Sequence, residues 1–208
     1  MKSSAAKLLV ATIVAAGVLA VAFTVTANIT QRFSCFTSVC WRKADVVARP
    51  RLLPNVALQD AAGQLSNFQN LRGRVLVVNF IYTRCATICN TLGSVSSQLA
   101  TRLASEIKQG KVAVISISFD PTRDNVANLQ SYMLRLDKSQ GLWQTARPTS
   151  ESDNAALKKV FGVVTINDDF GGFDHNAALH IVDRTSHLVR IVELNDLDEA
   201  EKNVRQLL

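Results

Sequence analysis

The 208-residue chain has three histidines and four cysteines. It lacks a glycine-rich phosphate loop, a Ser-His-Asp arrangement and a paired carboxylate site. Nothing in it therefore supports nucleotide-dependent transfer, serine-type acyl transfer or two-carboxylate hydrolysis. Internal repeats and low-complexity tracts are missing, which excludes a repeat array. The folded part also lacks surplus charge. The net charge is +6, but residues 1–51 carry seven basic residues (Lys2, Lys7, Arg32, Arg42, Lys43, Arg49, Arg51) against Asp45 alone, and residues 52–208 carry sixteen of each sign. A nucleic-acid binder places its basic stripe on the folded domain, so no nucleic-acid partner is expected. No Arg-rich transit peptide is visible either.

One long apolar run is present. Leu8 to Ala27 contains no charged residue, and about 20 such residues carry a helix across a bilayer core of roughly 30 Å. Lys2 and Lys7 precede it, as in a signal sequence. The run exceeds the roughly 7–15 residues of a cleaved apolar region, so an uncleaved anchor is expected in preference to cleavage at Val25-Thr26-Ala27. Flanking charge does not orient the anchor: Lys2, Lys7 and the amino terminus balance Arg32, Arg42 and Lys43. All four cysteines follow it, which leans toward the oxidising side. The expectation is a single-pass protein of the bacterial cytoplasmic membrane with its soluble part on the periplasmic side. The organisation reads as a short segment at 1–7, an anchor at 8–27, a basic irregular tether at 28–53 and a domain at 54–208.

Within that domain, Val75–Ile81 and Val112–Ser118 are continuous apolar runs, the pattern of strands buried on both faces. Between them, Leu92, Val95, Leu99, Leu103 and Ile107 recur at helical spacing, which predicts a helix from Thr87 to Gln109 stopped by Gly110. Helices are also expected at Asn125–Leu136, Ser152–Phe161 and Asp196–Leu208, with a short strand at Leu142-Trp143 and one at Val56–Gln59. Ala177–Val182 and Leu188–Leu194 flank Asp183-Arg184-Thr185-Ser186 and read as a hairpin. Two buried strands joined by a crossover helix, then an antiparallel hairpin, make a mixed α/β sheet covered by helices. That is thioredoxin-like architecture.

The chemistry centres on Cys85-Ala86-Thr87-Ile88-Cys89, directly after the first buried run. Two thiols four residues apart share a helix face if the helix starts there. An exposed helix N-terminus lowers thiol pKa, so the pair suits reversible redox chemistry or a soft metal. Thiolates select Cu(I) or Zn, and a third ligand is then needed. Among His175, His180 and His187, position favours His175, which follows Phe170-Gly171-Gly172-Phe173-Asp174 and opens the hairpin strand. His175 and His180 point to opposite faces of a strand, and His187 falls at the far turn, toward solvent. Arg123 and Asp124 read as a local salt link.

Three stretches in order resemble the Sco/SenC family of membrane-anchored copper chaperones for cytochrome c oxidase assembly. They are Asn79-Phe80-Ile81-Tyr82-Thr83-Arg84-Cys85 through Cys89, Ile115–Asp124 with Asp120-Pro121-Thr122-Arg123-Asp124 at its end, and Asp174-His175-Asn176. The likeness covers about residues 54–195. It implies that Cys85, Cys89 and His175 hold copper, as Cu(I) in a roughly trigonal S₂N site or as Cu(II) with a further donor. It implies that Asp120 is the family's strand-end aspartate, which orients the site or biases the thiols; a plain turn role before Pro121 is the alternative. The partners it implies are the copper-site subunit of a cytochrome oxidase or another copper chaperone. A thiol–disulfide reductase acting on a copper-site protein, with Cys85 attacking first, is the alternative function. A peroxidase fits less well, because no proline precedes the cysteine in the peroxiredoxin pattern and Tyr82 stands at its threonine position. The chain departs from the family at Ala86-Thr87 and Asn90, where prolines or Pro-Asp are usual, which bears on loop stiffness and disulfide potential. Cys35 and Cys40 lie in the tether, outside any lipobox, and are expected to form a local disulfide; an auxiliary copper relay or pairing with another protein are the alternatives.

Overall fold

A computed structural model describes residues 2–30, 35, 37–85, 88–169 and 171–208. Ala86-Thr87, the expected start of the long helix, lies outside the described residues, as do residues 31–34 of the tether and Phe170. The chain divides into two units, Met1–Ala44 and Asp45–Leu208. The first contains α1 (Lys2–Ile29), in which Lys7–Ile29 is long and apolar enough to cross a membrane. Its leucines and valines are exposed. In the same unit Cys35 and Cys40 are joined by a disulfide with an S–S distance of 2.01 Å.

The stretch expected to be an irregular tether is ordered at its C-terminal end. It forms α2 (Ser38–Ala48), followed by β1 (Arg51–Leu52), which pairs with a strand of the main sheet. The cause is a buried carboxylate. Asp45 accepts from Arg51 Nη2 at 2.6 Å and also from Arg49, while Arg51 Nη1 donates to the Val160 carbonyl at 2.9 Å. The hydrogen bonds from Arg51 and then Arg49 hold the Asp45 carboxyl below the usual carboxylate range, against the opposing effect of burial. The compact unit accordingly begins near Asp45, nine positions before Pro54.

Next come β2 (Leu58–Asp60), β3 (Leu65–Ser66), β4 (Val75–Ile81), α3 (Ile88–Arg102), α4 (Ala104–Lys108), β5 (Val112–Ser118), α5 (Val126–Leu136), β6 (Trp143–Pro148) and α6 (Glu151–Phe161). The chain closes with β7 (Thr165–Asn167), β8 (Phe173–His175), β9 (Leu179–Val182), β10 (His187–Val192) and α7 (Leu197–Arg205). The main sheet has the order β1-β10-β9-β4-β5-β6-β2-β3. Its centre is parallel, β4 with β5 and β5 with β6, and β9 runs antiparallel to β4. This is the mixed, thioredoxin-like sheet expected from the pattern.

Successive strand residues face opposite ways, and β4 shows what each face meets. Asn79 donates through Nδ2 to Ser96 Oγ of α3 at 2.5 Å. Its neighbour Phe80 meets Phe161 of α6 edge-on, with ring centroids 5.0 Å apart. So α3 covers one face and α6 the other, and every residue of β4 and β5 is buried. Each large apolar side chain withdrawn there contributes about 1.5–3 kcal/mol. On the α3 face, Gly93 is required by close packing: a Cβ there would lie 2.6 Å from Leu136 Cδ1 and 2.8 Å from Tyr132 Oη.

Three expectations need correction. The single helix to Gln109 is two helices, broken at Leu103. The strand at Leu142-Trp143 is the six-residue β6, buried at Trp143. His175 does not open the hairpin strand of the main sheet. It ends β8, which pairs only with β7 in a separate two-stranded sheet, Thr165 opposite His175.

Candidate metal centre

Ligand sites in α/β sheets form beyond the carboxyl ends of parallel strands, and β4 ends at Ile81. There the chain turns through Tyr82-Thr83-Arg84, with Cys85 N–H donating to the Tyr82 carbonyl at 3.2 Å. A carboxylate from the next loop braces the turn. Asp124 accepts from Thr83 N–H at 3.0 Å, Thr83 Oγ1 at 2.5 Å and Ser118 Oγ at 2.6 Å. Asp124 is 1% exposed, so these bonds replace the water it has lost. The expected Arg123–Asp124 link is absent from this arrangement, because Asp124 faces inward to Thr83 while Arg123 pairs with Asp120 at 2.6 Å.

Cys89 is the second residue of α3 and is wholly buried, and Cys85 is buried as well. The Cys89 N–H points at Cys85 Sγ, 3.4 Å away, a helix-start amide directed at sulfur. Across α3, the Tyr132 hydroxyl of α5 donates to the Cys89 carbonyl. The expected exposed, low-pKa pair is not what forms. Burial pushes the Cys89 thiol well above the ordinary range, the adjoining Cys85 thiol pushes the same way, and a backbone hydrogen bond from Tyr82 opposes them only in part. The dipole argument fails here because α3 starts inside the protein, where loss of water outweighs the helix field. Burial likewise raises the Tyr82 phenol, and neighbouring Cys85 and Cys89 add to the rise.

The third residue arrives from another element. His175 Nε2 stands 3.8 Å from Cys89 Sγ. The His175 ring meets Phe119 edge-on at 5.0 Å, and its buried Nδ1 has no hydrogen-bond partner. Burial lowers its pKa, with Asp174 opposing, so the imidazole is held in the neutral form that ligates metals. The hairpin bearing it is fixed at one end by Asn176, whose Oδ1 accepts from Val164 N–H at 2.8 Å and whose Nδ2 donates to the Gly162 carbonyl at 2.9 Å.

The donors are gathered without being closed. Among the described residues, no three His, Cys, Asp or Glu side chains already stand as a group able to hold a metal ion. The Sγ–Nε2 gap nevertheless matches a shared ion: bonds of about 2.3 and 2.0 Å meeting near 120° span about 3.7 Å. Two sulfurs and one imidazole make a soft donor set suited to Cu(I).

The other candidates are elsewhere. Asp120 accepts from Arg123 Nε at 2.6 Å and Thr122 Oγ1 at 3.2 Å. His180 is buried between Phe80 and Phe161, with ring centroids at 5.8 and 5.3 Å, and its Nδ1 is 3.2 Å from the Val78 carbonyl. His187 is partly exposed beside Thr185. Residues that spacing alone did not single out are Tyr82, Asp124 and Asn176. Each lies inside one of the three quoted stretches, and each is recognisable as a brace only once its partners are known.

The SCO1/SenC family model matches residues 48–208. A Bacillus subtilis SCO1 protein homolog is 27% identical over 126 residues, 60% of this chain and 64% of that protein; the chain thus spans less than two thirds of that relative's length. A SCO1/SenC family lipoprotein from Bacillus anthracis superposes with a TM-score of 0.68 at 19% identity, covering 77% of this chain and 98% of that one. Bradyrhizobium japonicum ScoI, solved with copper bound, gives 0.63 at 23% identity over 76% and 99% of the two chains.

Proposed function

Because the chain belongs to the SCO1/SenC family, we propose that it is a membrane-anchored copper carrier that supplies the copper site of a respiratory cytochrome c oxidase. Copper is its cargo, held by Cys85, Cys89 and His175. The observation that carries this reading is the approach of His175 Nε2 on β8 to the Cys89 sulfur on α3, at 3.8 Å, while the buried Nδ1 of the same ring has no hydrogen-bond partner. Sequence-distant elements converge there on one soft donor set. Zinc generally takes four ligands in a tetrahedral site, whereas two thiolates and an imidazole suit Cu(I). Loading Cu(I) expels the Cys89 thiol proton, and His175, already neutral, contributes a lone pair without losing a proton.

The apolar helix α1 would anchor the carrier as a single span, with the copper domain outside the cytoplasm. There it could meet an oxidase subunit or a second copper chaperone. The reductase reading is less well supported, because both thiols are buried and exchange requires a partner disulfide to reach the attacking sulfur.

The test is Cu(I) competition against a chelator, using the detergent-solubilised full chain with Cys35→Ser and Cys40→Ser so that only the proposed site responds. One Cu(I) per chain is expected, with affinity falling by at least about 100-fold in His175→Ala, more than is typical for loss of an outer-shell partner. Binding indifferent to His175 would favour thiol exchange.

A further inference from the structure

The hairpin that carries His175 is held at its other end by a side chain the site itself does not contain. Arg123 lies in the loop between β5 and α5. Its Nε donates to Asp120 Oδ2 at 2.6 Å, and its Nη1 donates to the Gly171 carbonyl at 2.8 Å. Its guanidinium carbon lies 4.8 Å from the centre of the Phe173 ring. One planar cation therefore grips a buried carboxylate of the main domain, the backbone just before β8, and the first side chain of β8.

Those contacts lead to the imidazole in two steps. Phe173 packs edge-on against Phe119 at 5.5 Å, and Phe119 packs against His175 at 5.0 Å. The Phe173 N–H is also held by the Tyr82 hydroxyl at 3.2 Å. The fit at this point is close: a Cβ on Gly172 would lie 2.8 Å from that hydroxyl and 2.6 Å from Asp168 Oδ2. Arg123 touches neither cysteine in these contacts.

We propose that Arg123 is a positioning residue for copper binding: clamped by Asp120, it fixes the β7–β8 hairpin so that His175 meets the two thiols. This rests on the copper reading above, and it gives Asp120 its task, holding Arg123 rather than touching metal. Lysine cannot replace the fork, because a single ammonium cannot satisfy Asp120 and the Gly171 carbonyl in the same geometry while stacking on Phe173.

The experiment compares Arg123→Ala, Arg123→Lys and His175→Ala in the detergent-solubilised full chain carrying Cys35→Ser and Cys40→Ser. Three quantities are read: Cu(I) affinity by chelator competition, the position of the thiolate-to-Cu(II) charge-transfer band, and the rate at which iodoacetamide alkylates Cys85 and Cys89 without metal. The proposal expects both Arg123 variants to lose about 10–100-fold in affinity, the range for outer-shell partners. It also expects a shifted band and alkylation within about twofold of the parent. Affinity within about twofold of the parent in Arg123→Ala, with His175→Ala still impaired, overturns the positioning role and leaves the copper reading standing. Full recovery in Arg123→Lys reduces the role to charge and overturns it. Alkylation accelerating in step with the loss of affinity shows general loosening and overturns it too. An unimpaired His175→Ala overturns the copper reading itself.

Discussion

The two halves of the candidate centre are built differently. The thiols are rooted in the main sheet. Cys85 follows the fully buried β4 through a turn tied by Asp124, and Cys89 lies in the first turn of α3, whose face is packed by Tyr132 and Trp143. The imidazole rides on a three-residue strand paired only with another of the same length, outside the main sheet. A few local contacts hold it: Asn176 at one end, and Arg123 and Tyr82 at the other. A short two-stranded ribbon has little stability of its own, so the histidine side is the half that opens at lowest cost. Under the proposed copper reading, the difference describes a carrier with two donors fixed by the core and a third held by contacts that a partner would rearrange.

The largest expected effect comes from removing the rooted half. Cys89→Ala should abolish measurable Cu(I) binding, a loss above about 1000-fold, because one thiolate and an imidazole remain where two thiolates are needed; chelator competition reads it. Next is pH. The Cys89 thiol is protonated well past neutrality, so binding must expel protons. His175 is shifted the other way and is neutral near pH 7. Affinity should therefore rise with pH, by up to about 100-fold per unit between pH 6 and 8 if both thiols give up protons on loading. A flat profile would mean that the thiols are already ionised.

Gly93→Ala would break the comparison from the rooted side. Its Cβ must displace Leu136 or the Tyr132 hydroxyl, and overpacking of this kind costs about 1–3 kcal/mol. Thermal unfolding should report that loss for the whole domain. Asn176→Ala would sharpen the comparison from the hinged side. It removes two hydrogen bonds that fasten the hairpin, each worth about 0.5–1.5 kcal/mol. Amide exchange in β7 and β8 should accelerate with little change in the global melting temperature, and Cu(I) affinity should fall by roughly tenfold. Exchange protection lost evenly across the main sheet would contradict the separation of the two halves.

These halves also differed in how far the sequence disclosed them. The strands β4 and β5 have the expected bounds because an unbroken apolar run leaves few alternatives at a sheet centre. The cysteines and His175 stood out through residue type and spacing. The hairpin β7–β8 did not, because Thr165-Ile166-Asn167 and Phe173-Asp174-His175 are too short and mixed for periodicity to register. The ordered end of the tether was missed for a similar reason. Asp45 reads as an isolated acid among bases until Arg51 folds back onto it. The burial of the thiols was invisible as well, since a helix start shows in sequence but the depth at which it begins does not. Arg123 and Asp124 were recognised as charged neighbours, yet tertiary contacts separate them, one toward Gly171 and the other toward Thr83.

X-ray absorption at the copper edge reads whether one thiol pair and one hairpin imidazole share a single copper ion. The sample is the Cu(I)-loaded full chain with Cys35 and Cys40 replaced by serine. The account predicts a first shell of two sulfurs and one nitrogen, with the nitrogen contribution lost in His175→Ala. A two-sulfur shell that is the same in both proteins would contradict it, leaving His175 outside the copper site.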